Sequence, residues 1–120
     1  MTKFLAVFIG GGLGAMSRYA LTTLLAGKLG NFPIGTFTAN ILGSFLMGVL
    51  LGIFSSKTNE TLRLLLTVGF LGGFTTFSSF SAETLTLIRE GQMFSALINI
   101  FASVGIGLAV CAVGFTLTRN

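Results

Sequence analysis

Four long apolar runs separated by short polar breaks leave this chain few folds to choose from. The runs cover about 4–27, 33–55, 62–88 and 92–118. Each reaches the roughly 20 residues that carry a helix across a hydrocarbon core. Backbone inside lipid must satisfy its own hydrogen bonds, so runs of this length are read as helices. The breaks hold the polar and turn-forming residues: Lys28–Asn31, Ser56–Glu60 and Arg89–Gly91. Pro33, the single proline, suits the first turn of the second helix. Lys3 ahead of an apolar stretch, with Ala15-Met16-Ser17 behind it, imitates a signal peptide. The run continues apolar to Lys28 and three more follow, so a first span is expected instead. The expectation is one four-helix transmembrane domain over residues 1–120, without a separate soluble domain, linker or low-complexity tail.

Composition excludes most other classes. Only 8% of residues are charged, against about 25% in soluble domains. Seven Lys/Arg against three Glu give a net charge of +4. The cations flank the apolar runs and form no basic stripe for nucleic acid. There is no histidine and one cysteine, Cys111. Internal disulfides, multi-Cys metal sites and His-based shuttles are therefore excluded. Clustered acids and nucleophile–base pairs are missing too, so no enzyme is expected.

Charge leaves orientation open. The N-terminus, second loop and C-terminus share one side, with Lys3, Lys57, Arg63 and Arg119. The other side has Lys28 and Arg89. Arg18 lies within the first span. If it snorkels toward Lys28 the tally is four against three, a weak instruction to the insertion machinery. A chain inserting both ways would form antiparallel pairs. If Arg18 stays buried, four against two favours one orientation.

Small and polar residues recur at helical spacing. Gly10/Gly14, Gly48/Gly52 and Gly69/Gly73 are GxxxG pairs, which let backbones approach closely in lipid. Gly10, Gly12 and Ala15 also match a dinucleotide-binding pattern, but inside a span that pattern has no meaning. Thr36, Asn40 and Ser44 fall on one face of the second helix, and Ser95, Asn99, Ser103, Gly107 and Cys111 on one face of the fourth. Such faces serve as interhelical glue at about 0.6 kcal/mol per bond. Asn40, with two donors deep in a span, suggests more.

The third run contains GFLGGFTTFSSFSAE at 69–83. Gly72-Gly73 and the hydroxyls of Thr75 and Thr76 weaken the helix near its midpoint. A break there would expose carbonyls able to bind a cation, and a half-helix beginning near Thr75 or Thr76 would point its dipole at the membrane centre. Glycines used only for packing in a continuous helix explain the same residues. Phe74, Phe77 and Phe80 repeat every third residue beside Thr76, Ser79 and Glu83. Phenyl edges carry partial positive charge, so such a track can replace part of an anion's hydration shell. Glu83 is the one acid inside a span and a functional candidate. It can also snorkel, since Arg89 marks the boundary about 9 Å away.

These residues resemble the Fluc (CrcB) family of small fluoride-selective channels. GFLGGFTTFSSFSAET at 69–84 carries the likeness, supported by GGGLGAMSR at 10–18 and GTFTANILGS at 35–44. The resemblance implies an all-α fold of four spans with a broken third helix, assembled as an antiparallel, dual-topology homodimer with two pores. It implies a structural Na+ at the dimer centre, held by the backbone carbonyls of Gly72 and Thr75 from both subunits. It assigns the fluoride pore to Asn40, Phe77, Ser78, Ser79, Phe80 and Glu83, with Arg18, Thr36 and Ser103 at the vestibule or in support. Ser79 stands where Thr is frequent, and Gly107 and Cys111 replace hydroxyls found in some members. Fluoride enters acidified cells as HF and ionises inside. A passive path in the inner (plasma) membrane would relieve its toxicity, with fluoride, a second copy and lipid as the partners.

The alternatives are a small multidrug-type proton-coupled exporter and a non-transporting membrane scaffold. The exporter needs a carboxylate in the first helix and usually Trp around it; this chain has Arg18 there and no Trp. A scaffold explains the glycines but not the Phe/hydroxyl track with Glu83.

Overall fold

The computed structural model describes residues 1–56 and 59–119. Lys57, counted in the charge tally, lies outside the described residues. The helices are α1 (Thr2–Leu25), α2 (Ile34–Ile53), α3 (Glu60–Leu64), α4 (Gly72–Phe74), α5 (Phe77–Arg89) and α6 (Met93–Thr118). A π-helical stretch, Leu65–Leu71, joins α3 to α4. The third span is thus α3, the π stretch and α4, then a break, then α5. Among the described residues, four segments are long and apolar enough to cross a membrane: α1, α2, residues 60–89 and α6. This is a multi-pass membrane protein.

The loops follow from their residues. Gly27, Gly30 and Gly91 take φ values of 75°, 62° and 78°, a region that favours glycine because it has no Cβ. Pro33 stands at the N-cap of α2, one place before the expected first turn. Asn59 caps α3 by accepting from the Leu62 N–H. Lys3 pairs with Glu60 at 3.1 Å, so α1 and α3 begin side by side. Gly52 packs against Thr118 and Arg119, bringing the end of α2 beside the end of α6. These neighbours give the up-and-down order expected from the runs.

Two helix pairs make the bundle. α1 packs on the first half of the third span, and α2 packs along α6. All three GxxxG pairs lie in these seams. Gly10 and Gly14 face the backbone of residues 65–74, Gly69 and Gly73 face α1, and Gly48 and Gly52 face α6. Gly114 of α6 answers from the other side, against Phe45 and Val49. Contact there is backbone on backbone, which only small residues allow.

The third span breaks, and its second half-helix is capped by Thr76, where a start near Thr75 or Thr76 was expected. Gly72-Gly73 lies just before the break. Both residues are helical, within α4, and Gly73 serves close approach to Gly11 and Ala15 of α1. The chain leaves the helix at Thr75 (φ −90°, ψ 155°) and Thr76 (φ −151°, ψ 120°). β-Branching and a hydroxyl able to cap a new helix favour extended backbone there, whereas glycine's weakness as a helix former is outweighed by packing.

Candidate functional site

The break is held by side chains from three spans. Thr75 N–H and Thr75 Oγ1 both donate to the Leu71 carbonyl, at 2.9 and 2.8 Å. The Gly73 carbonyl, which loses its donor where the helix ends, accepts from Arg18 Nε of α1 at 3.1 Å. Asn40 of α2 clamps Thr76 at both its backbone N–H and its carbonyl. Its Oδ1 accepts from Thr76 N–H at 2.8 Å, and its Nδ2 donates to the Thr76 carbonyl at 3.1 Å. Thr76 Oγ1 in turn accepts from Ser79 N–H at 3.1 Å and caps α5. Gly43 of α2 lies against Thr75 and Phe74, leaving room for the turn.

This bonding decides which carbonyls are left over. In an unbroken helix the Gly72 carbonyl would take the N–H of Thr76, and that of Thr75 the N–H of Ser79. Asn40 takes the first of these donors and Thr76 Oγ1 the second. The two carbonyls assigned by resemblance to a cation are therefore, like that of Gly73, among those deprived of their helical donors. Neutral oxygens of this kind suit a hard monovalent cation, and Gly72 is exposed in the single chain.

Arg18 does not snorkel to the membrane surface. It is half-buried and committed to Gly73. Among the described residues the other cations are then Lys3, Arg63 and Arg119 against Lys28 and Arg89.

Asn40, Phe77, Phe80, Ser103 and Val104 line one cavity of about 140 Å³. Phe77 and Phe80 stand with ring centroids 5.6 Å apart, tilted at 41°. Phe77 is 79% exposed in the single chain, while Phe80 is half-buried. With one Nδ2 hydrogen on Thr76, Asn40 keeps its second for the cavity. Ser78 is exposed, its Oγ 3.2 Å from Thr76 Oγ1, and Ser79 is half-buried one residue on.

Glu83 turns inward. Its Oε2 accepts from the buried Thr36 hydroxyl at 3.1 Å, and Oε1 is buried without a partner among the described residues. Both residues border a larger cavity of about 380 Å³, with Thr22, Asn31, Thr86 and Glu90 among its polar lining. Snorkelling toward Arg89 is not what the carboxylate does. Thr36 and Asn40, one turn apart on α2, thus engage two successive parts of the third span. The third member of that face, Ser44, sits near Gly107 of α6.

One buried link went unassigned in the sequence. Asn99 of α6 donates from Nδ2 to Thr84 Oγ1 of α5 at 2.9 Å, and Thr84 donates to the Phe80 carbonyl at 2.7 Å. Ser103 Oγ donates to Asn99 Oδ1 at 3.3 Å. The available signal was an asparagine inside a span, which needs a polar partner. Its partner on α5 is not visible in spacing along α6.

The sequence pattern of the family described as "CrcB-like protein, Camphor Resistance (CrcB)" matches residues 5–115. A protein of Methylobacterium sp. (strain 4-46) named "Fluoride-specific ion channel FluC" is 43% identical over 122 residues, covering 100% of this chain and 98% of its own length. One of the same name from Geobacter sulfurreducens is 44% identical over 119 residues, 95% of this chain and 91% of its own. Another, from Pyrococcus furiosus, is 46% identical over 116 residues, 95% of this chain and 94% of its own. The match spans α1, α2, the braced break and nearly all of α6, and the chain belongs to the CrcB family.

Proposed function

We propose that this protein is a fluoride-selective channel that lets fluoride leave the cell passively and relieves its toxicity. The observation that carries the reading is the cavity where Asn40, Phe77, Phe80 and Ser103 meet beside a braced helix break. Full-length relatives named as fluoride-specific channels support it. The multidrug-type exporter loses ground, because the intramembrane acid is Glu83 of the third span, bound to Thr36.

Fluoride is small and strongly hydrated, so a path through lipid must replace its water. Asn40 offers one N–H, the Ser78 and Ser79 hydroxyls offer donors, and the Phe77 and Phe80 edges offer weak positive potential without full charge. A neutral lining avoids trapping the ion, which must leave as readily as it enters. Thr36 and Glu83 border the wider cavity on the same side of α2, where water can begin to be exchanged. Arg18 supports the break through the Gly73 carbonyl.

The working unit in this reading is an antiparallel, dual-topology homodimer with two pores. Extended backbone at membrane depth survives only inside protein or along a wet cavity. In one chain Gly72, Phe77 and Ser78 are exposed, so a second copy has reason to cover them. Gly72 and Thr75 carbonyls from both copies would hold a structural Na+. When bound, it offsets part of the cost of charge at low dielectric.

Purified protein in liposomes loaded with fluoride tests the proposal. A fluoride electrode is expected to record rapid efflux once a potassium ionophore dissipates the potential, and a chloride electrode none. Absent fluoride flux, or equal chloride flux, rejects it.

A further inference from the structure

We propose that Asn99 is a positioning residue of the fluoride path, acting through Thr84 and Ser103. The inference rests on the channel reading above. Asn99 is 2% exposed, one of the two largest fully buried side chains. Its partners lead to the cavity from both sides. Through Thr84 Oγ1 it reaches the carbonyl of Phe80, and its Oδ1 accepts from the Ser103 hydroxyl. Phe80 and Ser103 both line the 140 Å³ cavity, on α5 and α6 respectively. Asn99 itself does not line it.

Two consequences follow from the donor count. Thr84 spends its one proton on Phe80, so it serves Asn99 only as an acceptor, and the chain has a fixed direction. Ser103 points its proton at Asn99 and shows the cavity lone pairs, which repel an anion. To help fluoride, Ser103 must swing its proton from Asn99 Oδ1 into the cavity. Asn99 is the resting acceptor that makes this swing a defined exchange between two partners. The same residue holds α5 at a set distance from α6 at the turn carrying Phe80. Buried polar chains of this kind fix geometry because any unmatched member is costly.

The test is a double-mutant cycle on flux. Asn99→Leu, Thr84→Val and the pair are reconstituted at less than one channel per liposome. The fraction of liposomes emptied reports how much protein is active; the rate constant reports each active channel. Each single change is expected to lower the rate constant about tenfold, within the range of coupled contacts. The pair should be no slower than the slower single variant. An unchanged rate constant for Asn99→Leu overturns the proposal, as do additive effects or a loss confined to the emptied fraction. If Asn99→Leu does not purify as a folded protein, Thr84→Val decides alone. It cuts the chain at its middle, and an unchanged rate constant rejects the role. An inactive wild type would sink the channel reading itself, whereas an active wild type with additive variants sinks only Asn99.

Discussion

Asn40 does two jobs with one amide. Its oxygen and one hydrogen splint Thr76, and its other hydrogen is free for an anion. Asn40→Asp keeps an acceptor for the Thr76 N–H but strips the donor from its carbonyl and adds negative charge beside the path. Fluoride efflux should fall at least about tenfold, since an unmatched buried polar group costs about 1–3 kcal/mol. Phe80→Ile, which removes a ring edge, should also slow efflux while size-exclusion elution stays that of wild type. Unchanged efflux in both variants would remove these residues from the path. The sequence pointed to Asn40 by its depth in a span, but not to Thr76 as its partner. That pairing depends on where α2 lies against the third span. Arg18 shows the same limit: the sequence left snorkelling and burial both open, and the orphan Gly73 carbonyl holds it inside.

The glycine pairs act at the scale of helices. Their spacing along the sequence was enough to identify the faces that meet, because close approach in lipid needs small residues at every fourth position. The break was legible too, with a new half-helix expected near Thr75 or Thr76; the part played by the glycines before it was not. Glycine is the obvious weak point in a helix, yet Gly72 and Gly73 remain helical and the chain opens at two threonines. Packing against α1 holds Gly73, and Thr76 supplies the cap that a new helix needs. The π-helical stretch before them has no signature in hydropathy, since one extra residue in a turn leaves an apolar run apolar. A comparison of two neighbours checks the packing claim. A Cβ at Gly14 would strike the Phe70 carbonyl, whereas one at Gly12 meets nothing within 4 Å. Gly14→Ala should lower thermal stability in detergent, by about 1–3 kcal/mol for an overpacked contact. Gly12→Ala should leave it unchanged or raise it by up to about 1 kcal/mol through helix propensity. Equal melting of the two variants would contradict the seam described for α1.

The whole molecule, in the proposed assembly, brings two breaks together. With Arg18 held inside, the remaining cations number four on one side and two on the other, a bias that gives the antiparallel arrangement a clear test. A single accessible tag at the C-terminus should label from both faces of intact cells in comparable amounts. Labelling from one face alone excludes it. Replacing Na+ with a large organic cation should weaken the dimer or stop fluoride flux, and indifference to the cation argues against a shared site at Gly72 and Thr75. The span count was legible from composition because lipid imposes length and hydropathy on every crossing. The partner surface was not, since apolar residues facing a second copy and those facing lipid read alike. Phe4, Phe8, Phe94 and Phe101 are all exposed, while Ala6, Ala39, Ala96 and a series of glycines fill the interior. Around a few large buried side chains such as Leu71, Phe74 and Leu87, much of the heart is slender and many of the rings sit on the rind of the single chain. Recolouring the outer phenylalanines of α1 with polar residues should therefore leave the internal architecture standing, and the design of a detergent-free version of this protein can begin at its exterior.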